Sequence, residues 1–245
     1  MALSFRFAEE PDAAGVVALV ESAYRGEASR AGWTSEADLL DGQRTDAEAV
    51  LEIVRGESGV LLIAEDDGRL VGCCHLERRA GDVAYFGMFS ILPGQQGQGL
   101  GRLVLARAEH LAREQWNSRT MVMTVLAQRD ELIAWYERRG YRRTGKTAPF
   151  PYGNARFGIP RRDDLAFVEL ARGLTPGEGW PAPDHGGAGG TPARTRLLSW
   201  RNAGCAATGS GGGAGAMVGR DTARWRRLAC GPAGRSGRLG QIHRS

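Results

Sequence analysis

The chain has 245 residues, 42% hydrophobic and 24% charged, enough for one sizeable core with length to spare. No apolar run approaches the roughly 18 to 20 residues of a membrane span, and acids interrupt the opening MALSFRFAEEP where a signal peptide would stay apolar, so neither a membrane nor a secreted protein is expected. The net charge of +4 hides a split: residues 1–173 carry 22 basic and 25 acidic side chains, whereas 174–245 carry 10 and 3.

Leu3 to Ala8 alternates in the manner of a short strand. Pro11 suits the first turn of a helix whose apolar stripe is Val16, Leu19, Val20 and Ala23. The polar stretch that follows is expected to hold a short helix opened by Ser35, with Asp38 three positions on. Thr45 with Glu48 reads as a capping box ahead of Val50, Leu51, Ile53 and Val54. Gly59–Glu65 and Arg69–Glu77 are apolar runs around the hairpin turn Asp66-Asp67-Gly68, and a third strand, Val83–Leu92, follows Ala80-Gly81-Asp82. Leu100–Glu114 has helical spacing, Met121–Leu126 is a buried-type strand, and Glu131–Arg139 is another helix. Tyr141–Lys146 and Leu165–Leu170 supply two last strands across a loop rich in Pro, Phe and Gly. The order β-α-α-β-β-β-α-β-α-β-β predicts an α/β (α+β) domain over residues 1–173, with a mixed sheet flanked by helices.

After Gly173 the periodicity stops. Residues 174–245 hold 17 of the 36 glycines and read as a disordered tail, with short helices expected only near Arg194–Trp200 and Thr222–Leu228. Arginine outnumbers lysine 31 to 1, a bias of GC-rich coding DNA, so the tail also reads as a read-through or frameshift product. Its arginines could retain nucleic acid without specificity; no motif or aromatic platform predicts specific binding. The four cysteines contain no Cys-x-x-Cys pair, so neither a disulfide scaffold nor a metal site is expected, and the compartment reads as the reduced cytoplasm.

The most informative segment is Ile91-Leu92-Pro93-Gly94-Gln95-Gln96-Gly97-Gln98-Gly99-Leu100-Gly101-Arg102. A strand stops at a proline, a glycine-rich loop follows, and a helix begins at once. Glycines let the backbone approach a bulky anion, and the helix N-terminus adds unsatisfied N–H donors. A pyrophosphate is the natural guest. The segment lacks the Gly-Lys-Ser/Thr of a Walker loop and the spacing of a dinucleotide fingerprint.

Gln96-Gly97-Gln98-Gly99-Leu100-Gly101 resembles the Gln/Arg-x-x-Gly-x-Gly/Ala loop of the GNAT superfamily of acyl-CoA-dependent N-acetyltransferases. Leu132-Ile133-Ala134-Trp135-Tyr136-Glu137-Arg138-Arg139-Gly140-Tyr141 is similar to that family's helix ending in Tyr-x-x-x-Gly-Phe/Tyr. The resemblance covers residues 3–173 and implies a mostly antiparallel sheet with acetyl-CoA as co-substrate. It implies that backbone groups of Phe89, Ser90 and Ile91 meet the pantetheine arm. N–H groups from Gln96 through Gly97, Gln98, Gly99, Leu100 and Gly101 to Arg102 would hold the pyrophosphate, and Tyr136 would protonate the departing thiolate. Where the family often has asparagine, seven residues before the tyrosine, this chain has Arg129, which could still reach CoA.

The family attacks directly, and Cys73 and Cys74, inside an apolar strand, read as packing residues and not acyl carriers. A base must take the amine's proton. Glu77 is the first choice, sharing a strand face with His75 and lying across the turn from Tyr85. Tyr24, Arg25, Trp33 and Glu36 fall where the family covers its acceptor, and Arg25 could hold an acceptor carboxylate; Phe150 and Tyr152 are candidates for the opposite wall. The expected partner is a small primary amine, for a monomer or homodimer. The alternatives are another acyl group, a protein amine, or a CoA-binding protein without turnover.

Overall fold

The computed structural model describes residues 3–154 and 157–174. The expected tail at 174–245, with its short helices, lies outside the described residues except for Leu174. The elements are β1 (Leu3–Phe7), α1 (Ala13–Tyr24), α2 (Gly26–Arg30), β2 (Leu40–Asp41), α3 (Ala47–Arg55), β3 (Gly59–Asp66), β4 (Arg69–Arg79), β5 (Val83–Ile91), α4 (Leu100–Trp116), β6 (Thr120–Leu126), α5 (Asp130–Glu137), β7 (Arg142–Pro149), β8 (Ile159–Pro160) and β9 (Ala166–Gly173). Seven strands form one sheet in the order β1-β3-β4-β5-β6-β9-β7, while β2 and β8 pair separately. Every pairing is antiparallel except β5 with β6.

That one parallel pair positions the site. β5 and β6 are in register only at Val83–Tyr85 with Thr120–Val122, and beyond Tyr85 they part. A bulge between β4 and β5 lets two β5 residues slip past the Cys73–His75 stretch. Met88 there takes a left-handed φ of 46°, a conformation that costs a non-glycine residue about 1 kcal/mol. The carbonyls of Phe89 and Ile91, just past this bulge, are reached by side chains from outside the sheet: Tyr24 Oη donates to Phe89 O at 2.7 Å and Gln96 Nε2 to Ile91 O at 3.1 Å.

Two cores sandwich the sheet. On one face α4 and α5 bring Leu100, Val104, Leu105, Ala108, Ile133 and Tyr136 onto Leu62, Cys74, Leu76, Phe86, Met121 and Met123. On the other, Val16, Leu19 and Val20 of α1 and Val50 of α3 cover Leu61, Ile63 and Cys73. Cys73 and Cys74 therefore serve opposite cores, as strand alternation requires. A third small core holds Leu40, Leu126, Phe150 and Leu165. No helix among the described residues is long and apolar enough to cross a membrane.

Three local expectations shift. Ser35 opens no helix; its Oγ pairs with Ser29 Oγ at 2.6 Å and accepts from Ala37 N, and the segment closes as one turn on Glu36 O. The helix in this stretch is α2, upstream. The cap of α3 is Asp46, whose side chain accepts from Ala49 N at 2.7 Å. Thr45 is displaced from that role because Glu21 Oε1 of α1 holds the N–H groups of Arg44 and Thr45. α5 stops at Glu137, two residues early, because Gly140 turns the chain with a φ of 88°.

Candidate active site

Between Pro93 and α4 the chain makes a glycine-rich turn. Gly97 and Gly99 have φ of 84° and 86°, and a Cβ at either would meet open space. Glycine is therefore required here by backbone conformation and not by crowding. α4 begins without a side-chain cap. Among the described residues no acceptor meets the N–H groups of Gly97, Gln98, Gly99, Leu100 and Gly101, while Arg102 N and Leu103 N turn back to Gly99 O. Consecutive unmet donors at a helix N-terminus form an anion cradle.

A cavity of about 310 Å³ opens beside the cradle and runs along the Phe89–Ile91 end of β5 to α5. Of the residues expected at CoA, Phe89, Ser90, Ile91, Gln96, Gly97, Gly99, Gly101, Arg102 and Arg129 line it; Gln98 and Leu100 do not. Trp135 forms an apolar wall, with Phe89 and Trp33 at 6.0 and 6.5 Å between ring centres. Gln96 ties this wall together: its Oε1 accepts from Trp33 N at 2.6 Å while its Nε2 holds Ile91 O.

Sequence reasoning missed the rest of the positive charge. Arg138 and Arg139 join Arg102 at the cavity. Arg139 lies on the Trp135 ring, 3.5 Å from its centre, and donates to Trp135 O at 2.7 Å, but its Nε is buried without a partner. Burial, together with the charges of Arg138 and Arg102, pulls its pKa below the ordinary arginine value. Three guanidiniums that repel one another beside unmet N–H donors fit a diphosphate, which would relieve both costs. The signal was the Arg-Arg pair that closely follows the tyrosine.

Tyr136 is buried and its ring stands edge-on to Trp135 at 5.0 Å. Burial, aided by Tyr24, raises its pKa well above the ordinary tyrosine value, so its hydroxyl keeps its proton at neutral pH. Tyr141, from the same motif, fixes the end of α5 by donating to Glu109 Oε1 at 2.8 Å, while Arg172 pairs with the same carboxylate at 2.9 Å.

The acceptor-side residues fall into two groups. Tyr24 and Trp33 line the cavity. Arg25 and Glu36 do not; they are buried against each other at 2.9 Å, and Arg129 closes on the other oxygen of Glu36 at 2.8 Å. Arg129 also donates to Thr34 Oγ1 at 3.0 Å. Burial would raise the Glu36 carboxyl, but Arg129, Arg44 and Arg25 outweigh it and hold it below the ordinary range. The expected ligand contacts of Arg25 and Glu36 are thus replaced by a clamp that joins the α2–β2 loop to the start of α5.

Phe150 is buried in the third core, stacked on Phe167 at 5.8 Å, and Tyr152 accepts from Leu165 N at 2.7 Å; neither lines the cavity. His75, Glu77 and Tyr85 also lie outside its lining, on the sheet face of α1 and α3, where Tyr85 Oη meets Thr124 Oγ1 at 3.1 Å. Glu77 Oε2 accepts from Arg79 at 3.2 Å. Burial first, then Arg79, pushes the His75 pKa down to about 4. Cys73 is raised to about 12 by burial and Cys74 is raised as well, so neither thiol ionises. Among the described residues no cluster of His, Cys, Asp or Glu could hold a metal.

Residues 21–141, which contain the cradle, the cavity lining and Tyr136, match the model of the acetyltransferase (GNAT) family. The domain belongs to the GNAT acetyltransferase family. The GNAT fold is shared with the ribosomal-protein-S18-alanine N-acetyltransferase from Escherichia coli, at a TM-score of 0.53 and 16% identity over 71% of this chain and 95% of that one. The spermidine N-acetyltransferase from Vibrio cholerae in complex with CoA and spermine is similar to the same degree, at a TM-score of 0.53 and 16% identity over 70% and 95%. No curated protein matches the chain in sequence. GNAT enzymes use acetyl-CoA, and the cradle with its three arginines suits that co-substrate's diphosphate.

Proposed function

We propose that this GNAT domain transfers the acetyl group of acetyl-CoA to a primary amine of a small molecule by direct attack. The observation that carries the reading is a cavity that joins the anion cradle to the Phe89–Ile91 end of β5, with a protonated tyrosine packed beside its Trp135 wall. The amine nitrogen bonds to the acetyl carbon, the C–S bond breaks, and the thiolate takes the Tyr136 proton. The proton lost from the amine passes through water to Glu77. Glu77 lies directly across from Tyr85 in the strand register, and only its Oε2 is engaged, by Arg79. Cys73 and Cys74, buried and un-ionised, support attack without an acyl-enzyme.

Thiol release from acetyl-CoA with a panel of small amines tests the proposal. Turnover that needs an amine, follows sequential kinetics and yields the N-acetyl product is expected. Ping-pong kinetics would refute direct attack, and acetyl-CoA binding without turnover of any amine would leave a CoA-binding protein instead.

A further inference from the structure

In the acetyl-transfer reading the acceptor comes in by the Tyr24 and Trp33 side of the cavity, because the cradle and its arginines hold the other end. On that approach the charges do not balance. Three guanidiniums, of Arg25, Arg129 and Arg44, gather near the carboxylates of Glu36 and Glu21. Arg25 and Arg129 share the one charge of Glu36, with their remaining partnerless nitrogens buried, and Glu21 Oε1 accepts from the N–H groups of Arg44 and Thr45. Arg44 is left over. Its guanidinium lies 5.1 Å from the centre of the Tyr24 ring, which also carries Arg129 at 5.5 Å. It forms no hydrogen bond or ion pair among the described residues, although it is half-buried. It does not line the cavity itself but stands against the Tyr24 ring, which does; burial would lower its pKa, but Glu36, Tyr24, Tyr85 and Glu21 raise it.

A cationic acceptor would need the reverse arrangement, carboxylates without partners. The carboxylates around Tyr24 and Tyr85 are each engaged: Glu36 by two arginines, Glu21 by two backbone N–H groups, Glu77 by Arg79 and Glu169 by Lys146. We propose that Arg44 anchors a carboxylate carried by the acceptor, so that the enzyme acetylates an amino acid and not a polyamine. The inference rests on the acetyl-transfer reading above. A guanidinium with a free fork beside an aromatic ring binds a planar oxyanion through two N–H groups, with the ring shielding the pair from water. The charge-assisted contact replaces the role expected of Arg25, whose Nη1 is held by Glu36 and whose Nε and Nη2, though without partners, are buried away from any ligand.

The test uses the full chain and pairs of amines that differ only in the carboxylate: α- and ω-amino acids against the same amines lacking it, with spermidine as the polycation. Wild type should favour the carboxylate-bearing member of the accepted pair by about tenfold or more in kcat/KM, the range for a charge-assisted hydrogen bond. Arg44→Met should bring that ratio near one by raising KM for the acid, with Arg44→Lys in between and acetyl-CoA affinity and melting temperature held as controls. A wild-type preference for spermidine or for the amines lacking a carboxylate overturns the anionic subsite alone. So does a ratio that Arg44→Met leaves intact. No turnover of any amine overturns the acetyl-transfer reading and this one with it.

Discussion

Glu36→Gln is the sharpest probe of how the site is held together. The carboxylate accepts from Arg25 at 2.9 Å and from Arg129 at 2.8 Å, and all three side chains are at most 9% exposed. Glutamine keeps the shape, but its amide oxygen can serve one arginine while its NH2 faces the other. Two buried guanidiniums then lack a counter-charge, with Arg44 close by adding to the repulsion. Removing one partner of a buried ion pair costs about 3–5 kcal/mol, which for a domain of this size lowers the melting temperature by roughly 10 °C. Urea unfolding followed by circular dichroism, at a series of pH values, measures it. The folded-state carboxyl is depressed below its ordinary 4.5, so its contribution is complete above that value and is lost as pH falls through the lower folded one. The gap between wild type and variant should therefore be flat from pH 8 to 5 and close below about 4.5. A gap under about 1 kcal/mol at pH 7, or one already closing above pH 5, would show that the clamp does not hold the loop.

The other predictions address the chemistry and the pH response. Tyr136→Phe should cut kcat by about 100-fold with little change in the KM for acetyl-CoA; a kcat within twofold of wild type removes it as the acid. Gly99→Ala forces a methyl group into a backbone with φ of 86°, at about 1–2 kcal/mol of strain, and crowds the anion's approach. Calorimetry should show acetyl-CoA binding about tenfold weaker, and unchanged affinity would mean the loop does not hold phosphate. His75 titrates at about 4 instead of 6.5, so between those values the unfolded chain binds the proton first. Its contribution is whole above 6.5 and falls with the pH. Relative to His75→Gln, wild type should lose up to about 3 kcal/mol of stability between pH 7 and 4, and parallel pH curves would contradict the burial.

The fold was legible wherever local chemistry alone decides an element. Asp67 and Gly68 take the left-handed conformations that a two-residue hairpin needs, with φ of 47° and 78°. The strand periodicity of β3 and β4 holds because each strand must alternate between two separate cores. β2 and β8 were not legible, since two-residue strands carry no periodicity; they exist because Leu40 drops into the third core and Arg161 pairs with Asp41 at 2.6 Å. The cap at Asp46 was missed for a related reason. Local sequence favoured Thr45, and Glu21, in another helix, took its backbone N–H instead.

The co-substrate side of the site was legible for the same reason as the hairpin: a cradle of N–H groups is made by consecutive residues, so the glycines that shape it stand next to one another in the sequence. The acceptor side is made by charges that meet only after folding. Glu36 and Arg129 are 93 positions apart, and each has an innocent local reading, a loop acid and a helix-start arginine. Once paired they consume each other, and that changes which residues remain to act. Arg25, the obvious carboxylate binder beside Tyr24 and Trp33, is buried against Glu36, while Arg44, four residues past Leu40 in an unremarkable turn, stays half-buried with its guanidinium against Tyr24. A buried ion pair thus decides specificity by subtraction: the site's chemistry belongs to the charges that the fold leaves unpaired.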